Sequence, residues 1–67
     1  MFTIETEQEP DGRFVAEIPS LPGVLAYGAT IEQARARAAA LALRVIAERI
    51  ESGESVPVEA AGLFAPA

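Results

Sequence analysis

This chain offers carboxylates and little else with which to do chemistry. Its 67 residues hold ten Asp and Glu and five Arg, with no His, no Cys and no Lys. That composition excludes histidine bases, thiol nucleophiles, Cys/His zinc sites and disulfides. Ser20, Ser52 and Ser55 have no imidazole to activate them, so a serine triad is excluded. Gly23 and Gly28 do not form a phosphate loop, because their spacing is wrong and no Lys exists to meet the phosphates. Tyr27, the one phenol, reads as a half-buried strand aromatic rather than a catalytic acid. No catalytic residue, metal ligand or cofactor site is therefore assigned.

The acids are unevenly placed. Residues 1–29 carry Glu5, Glu7, Glu9, Asp11 and Glu17 against Arg13, a net −4. Residues 30–51 are net +1 and the remaining tail is net −2, giving −5 for the chain. This balance disfavours phosphate backbones, so direct nucleic-acid binding is not expected. An acidic face has two readings: a solvated surface that aids solubility, or a docking surface for a basic protein. The second reading takes Glu5, Glu7, Glu9, Asp11 and Glu17 as partner-binding residues, with Ser20 and Leu21 of the following loop.

Those acids need elements to hold them. Phe2, Ile4 and Thr6 alternate with Thr3, Glu5 and Glu7, the period of a half-buried strand. Glu9-Pro10-Asp11-Gly12 is a turn, and Arg13 to Ile18 alternates again with Phe14, Ala16 and Ile18 on one side, which makes an antiparallel hairpin. Pro19-Ser20-Leu21-Pro22-Gly23 stops the second strand. Val24 to Ala29 predicts a third, with Leu25 and Tyr27 on one face. Gly28, lacking a β-carbon, lets the chain swing from strand into helix.

Thr30 to Glu51 is the organising stretch. Thr30 caps its start, and Gln33 is placed to return a bond to the Thr30 amide, a capping box. Gly53 suits a left-handed C-terminal cap. Ile31, Ala34, Ala38, Leu41, Ala42 and Val45 share one helical face. Glu48, one turn after Arg44, predicts a helix-surface ion pair. A second apolar stripe, Ala39, Leu43, Ile46 and Ile50, runs beside the first. Either the tail folds over it or another subunit does. The tail itself is an edge strand or extended arm at Ser55 to Glu59, with Pro57 limiting it. Ala60 to Ala67 is a frayed end, a short strand or an arm on a neighbour, with Leu63 and Phe64 its bulky residues.

A chain this short buries only about 60% of the surface its unfolded form exposes. Without disulfides or a metal, oligomerisation is the remaining support. A homo-oligomer, dimer or higher, held by Ala39, Leu43, Ile46, Ile50, Leu63 and Phe64 is therefore predicted. The opening fifteen residues contain five charges and no apolar run, which predicts no signal peptide, no membrane span and a cytoplasmic protein.

Asp11-Gly12-Arg13-Phe14-Val15-Ala16, Pro19-Ser20-Leu21-Pro22-Gly23 and Gly28-Ala29-Thr30-Ile31-Glu32-Gln33-Ala34, taken in that order, resemble the HicB antitoxin family. The likeness spans about residues 3–58. Val24 stands where many members carry Cys. The resemblance implies a β-β-β-α core over residues 1–59, a partial ribonuclease H-like fold, followed by the 60–67 tail. It implies an antitoxin that neutralises a HicA-type mRNA-cleaving toxin. About a dozen residues follow Glu54, too few for the operator-binding domain that longer members append. A ribonuclease H-like core also directs attention to Glu5, Glu48 and Glu59 as loose two-metal candidates. Glu5 is expected to point away from the core and Glu48 to pair on the helix surface, so a remnant metal-dependent nuclease is an alternative, as is an orphan oligomeric domain that binds a small ligand or another protein.

Overall fold

A computed structural model describes residues 1–66. The order is β1 (Glu5–Gln8), β2 (Phe14–Glu17), β3 (Leu25–Gly28), α1 (Ile31–Glu51) and a short 3-10 helix, η1 (Val58–Gly62). The strands form one antiparallel sheet in chain order, with α1 packed on one face. The architecture is α+β. No helix among the described residues is long and apolar enough to cross a membrane.

The β1–β2 turn follows its residues. The Gly12 amide donates to the Glu9 carbonyl at 2.9 Å, and the Glu9 amide to the Arg13 carbonyl at 2.7 Å. Pro10, Asp11 and Gly12 are thus a three-residue hairpin loop: a tight turn closed by a left-handed glycine. Ladder pairing begins at Glu5, three residues later than the apolar alternation starts, yet Phe2 and Ile4 still pack against the core.

The β2–β3 loop does more than stop a strand. The Leu21 amide donates to the Ile18 carbonyl, the Val24 amide to the Leu21 carbonyl, and the Ile18 amide to the Val24 carbonyl. Gly23 has φ +89°, which the second of these turns needs and a side chain would resist. The successive turns aim Ile18, Leu21 and Val24, three apart in sequence, into the interior. Ile18 and Leu21 are the largest fully buried side chains. Leu21, expected on a partner surface, is therefore a core residue. The loop is folded back on itself.

Helix α1 starts as its residues direct, with one shift. Thr30 Oγ1 accepts from the Gln33 amide at 3.0 Å, while Gln33 Oε1 accepts from the Ala29 amide at 2.7 Å, not from that of Thr30. Thr30→Ala is expected to cost about 1 kcal/mol of stability by removing the first of these bonds. A thermal melt monitored by helical circular dichroism checks it, and an unchanged midpoint would contradict it. At the other end the Glu54 amide reaches the Arg49 carbonyl and the Gly53 amide the Ile50 carbonyl, a Schellman closure.

The buried line along α1 is Ala34, Ala38, Ala42 and Ile46. Its first half lies close on the sheet, where Ala16, Ala34 and Ala38 form a cluster of small side chains. Its second half runs beyond the strands and meets Ile18, Leu21, Val24 and Ala60. Ile46 thus belongs to the monomer core, at 3% exposure, and not to an outer stripe. Leu41 and Val45 are half-buried, and Ile31 is exposed.

The tail is not a strand. Pro57 has no amide hydrogen to give a ladder, and its carbonyl accepts instead from Ala60 at 2.9 Å, starting η1. That turn buries Ala60 and packs Val56 on the core. Residues 58–62 therefore cross the division placed after Glu59, and position 67 lies outside the described residues.

Candidate functional site

Helix α1 is off-centre. It packs chiefly on β3 and β2 and barely meets β1. The opposite face of the sheet is bare. Register decides what that face shows. Glu5 stands opposite Glu17, which stands opposite Leu25, and Glu7 opposite Val15, which stands opposite Tyr27. Alternation places these six together on the face away from α1. A shallow hollow of about 180 Å3 lies among Glu5, Thr6, Glu7, Val15 and Glu17.

Glu5 and Glu17 are directly opposed like charges, an arrangement that destabilises a strand pair. The basic side chain on this face, Arg13, is paired with Asp11 rather than with Glu5 or Glu17. Arg13 Nε donates to Asp11 Oδ2 at 2.8 Å, and the guanidinium lies 4.5 Å from the centre of the Tyr27 ring. The Arg13 amide and then its guanidinium hold the Asp11 carboxyl below its ordinary value of 3.8. Among the described residues this is the ion pair, so Glu48 and Arg44 do not form the expected one.

The predicted acidic residues thus separate. Glu5, Glu7 and Glu17 converge on the outer face. Glu9 and Asp11 sit in the hairpin turn at one end of the sheet, with Asp11 engaged by Arg13. Ser20, half-buried, and Leu21, fully buried, belong to the loop at the other end. Val15 at the centre of the face was missed. Its signal was available, since it alternates with the core residues Phe14 and Ala16. Glu5, Glu48 and Glu59 do not converge: they lie on the outer sheet face, on α1 and on η1. Among the described residues no group of three or more acids is placed to hold a metal ion.

The edges of the sheet are treated differently. β1 carries Glu5 and Glu7, charges that discourage pairing with another strand. β3 carries no charge, but Arg37 Nη1 donates to the Tyr27 carbonyl at 2.9 Å, occupying an acceptor on that edge.

Fold and site together define a small α+β protein with one helix-covered sheet face and one bare, acidic, partly apolar face. No family model, curated protein or solved structure matches the chain.

Proposed function

We propose that this chain is a non-catalytic binding protein whose bare sheet face takes a basic protein partner, as an antitoxin of the HicB-like kind would take a small HicA-type mRNA-cleaving toxin. The observation that carries the reading is the Glu5–Glu17 opposition with Glu7 beside it, around apolar Val15. Cross-strand repulsion of this kind destabilises the pair, and a cationic partner would relieve it on binding. The apolar centre with a charged rim is the layout of a protein interface. The absence of His, Cys and Lys from the whole chain supports a role without catalysis.

The test is titration calorimetry of the purified chain against a HicA-type toxin at two salt concentrations. Binding is expected, weaker at higher salt, and reduced about 100-fold by the pair Glu5→Arg and Glu17→Arg, in the range that charge reversal at a docking face produces. Binding that the double variant leaves unchanged would remove the sheet face from the proposal. RNA turnover with Mg2+ that vanishes in Glu5→Gln would replace it with the nuclease reading.

A further inference from the structure

A second surface of the molecule is bare, and it is chemically unlike the first. Because α1 lies over β3 and β2, the flank of the helix on the β1 side is only partly covered, by Phe2 and Ile4 before β1 and by Leu63 and Phe64 of the tail. Two apolar hollows open along this flank. One of about 160 Å3 is lined by Phe2, Ile4 and the helix, and one of about 330 Å3 by the helix with Leu63 and Phe64. Leu43 and Ile46 line both, so they form one continuous groove. Its one charged lining residue is Glu51.

We infer that a second copy of this chain occupies this groove, in a two-fold dimer with the two α1 helices side by side and antiparallel, each placing its Leu43, Ile50 and Phe64 on the other's flank. Three observations carry the inference, and none of them depends on the toxin-binding reading of the sheet face.

The first is what the monomer leaves unburied. Its core is built largely from Ala, with Ile18 and Leu21 as the large fully buried side chains. Meanwhile Leu43 is 58% exposed, Ile50 55%, Leu63 43% and Phe64 80%. These four bulky apolar side chains on one flank equal in number the bulky ones the core encloses, Ile18, Leu21, Val24 and Ile46.

The second is area. At about 150–250 Å2 for a fully exposed large side chain, these four residues present about 450 Å2. That is near a tenth of the 4748 Å2 surface, the share that a specific interface takes from a small protein. Two copies would remove about 1,000 Å2 with the rim included, the minimum for a biological interface and at the small end of the scale, which fits a dimer that forms at micromolar concentrations or above. The flank from Ala39 to Ile50 is about 17 Å long at 1.5 Å per residue, enough for three turns of helix to face three turns.

The third is charge. Each copy is net −5, and its sheet face is acidic, so two copies repel one another there. The groove is the surface on which like-charged copies meet without opposing carboxylates. Phe64 is 80% exposed and lines the hollow, so each copy offers the other both a projecting ring and an apolar recess, as an isologous interface requires. Ala39 and Ala47 are small enough for close helix approach. The sheet faces remain outward in this dimer, so each copy keeps its face for a basic partner.

The experiment is sedimentation equilibrium of the wild-type chain from about 1 to 100 μM, with two variants. Wild type is expected as a dimer at the upper concentrations. Leu43→Glu, which puts a carboxylate into the apolar seam of each copy, is expected to give a monomer, and Phe64→Ser to weaken association at least tenfold. Both sites are exposed, so circular dichroism at high concentration should show the helix retained. Position follows from cross-linking, which the absence of native Cys makes clean. Ala47→Cys should give a covalent dimer with a short bifunctional maleimide. Glu48→Cys, one residue along and turned about 100° around the helix, should not. A wild-type monomer at 100 μM overturns the inference, as does a Leu43→Glu dimer or equal cross-linking at the two cysteines. If both surface variants unfold instead, the mass of the wild type and the cross-linking contrast still decide it.

Discussion

Gly28→Ala is expected to lower the free energy of unfolding by about 3 kcal/mol, the upper end of what overpacking costs. The backbone at Gly28 is not left-handed, so conformation would tolerate a side chain. Space would not. A β-carbon there would lie 2.5 Å from the Ala34 amide nitrogen and 3.0 Å from the Gln33 carbonyl carbon and Cβ. These are backbone atoms and a β-carbon of the first helical turn, not the tip of a flexible side chain. That turn is pinned by Thr30 and Gln33, so relief requires lifting the start of α1 off β3. Alanine also restricts the unfolded chain, which favours the variant by about 0.4–1 kcal/mol, less than the clash. Urea unfolding followed by circular dichroism measures the difference. Gly62→Ala is the control, because a β-carbon at Gly62 meets nothing within 4 Å. A Gly28→Ala midpoint equal to that of wild type would mean that helix and strand do not approach this closely.

Leu21→Ala is expected to cost about 3 kcal/mol, the middle of the range for emptying a fully buried leucine site. Leu21 is 0% exposed, and its partners Ile18, Val24 and Ile46 are held by the turns of the loop and by the helix. They cannot collapse easily into the void. A domain of this length has a total stability of about 3–10 kcal/mol, so the variant loses a large share of it. The melting midpoint should fall by about 12 °C or more. Leu43→Ala is the comparison, since Leu43 is mostly exposed, and at a concentration too low for association it should cost under about 1 kcal/mol. If the two variants lost equal stability, the loop would not be the centre of the core. Ile46→Glu belongs with Leu21→Ala: it buries an unpaired carboxylate and should unfold the chain rather than merely dissociate it.

The local signals were strong wherever one residue type solves one local problem. Alternation in residues 2–7 and 13–18 made the hairpin legible, because a strand's side chains must take opposite faces. Pro10, Asp11 and Gly12 marked its turn through φ preference. Thr30, Gln33 and Gly53 bracketed α1, because a helix leaves end groups that only particular neighbours satisfy. The acids were picked out by charge alone, five together; strand register is what sets Glu5, Glu7 and Glu17 on the outer face and leaves Glu9 and Asp11 at the turn. Val15 was passed over there, although alternation with Phe14 and Ala16 puts it on the same face as Glu17.

Other features needed the folded chain. Leu21 stood among turn residues, and nothing local said that two successive turns would drive its side chain inward. Ile46 sat at a helical angle shared by two faces, and only the position of the 18–24 loop beyond the sheet assigned it to the core. Gly28 read as a pivot, whereas its place is decided by how closely α1 lies on β3. The off-centre seat of α1 is likewise a tertiary outcome: Ala34 and Ala38 permit close approach to β2 and β3, and one helix cannot cover a third strand as well. The amino-acid sequence by itself thus determined the elements, their order and the charge of the hairpin, because these depend on neighbours within a few residues. The identity of the large core side chains, the turn at Pro57 and the apolar groove beside α1 were decided by packing, because each depends on which distant surface arrives to cover it.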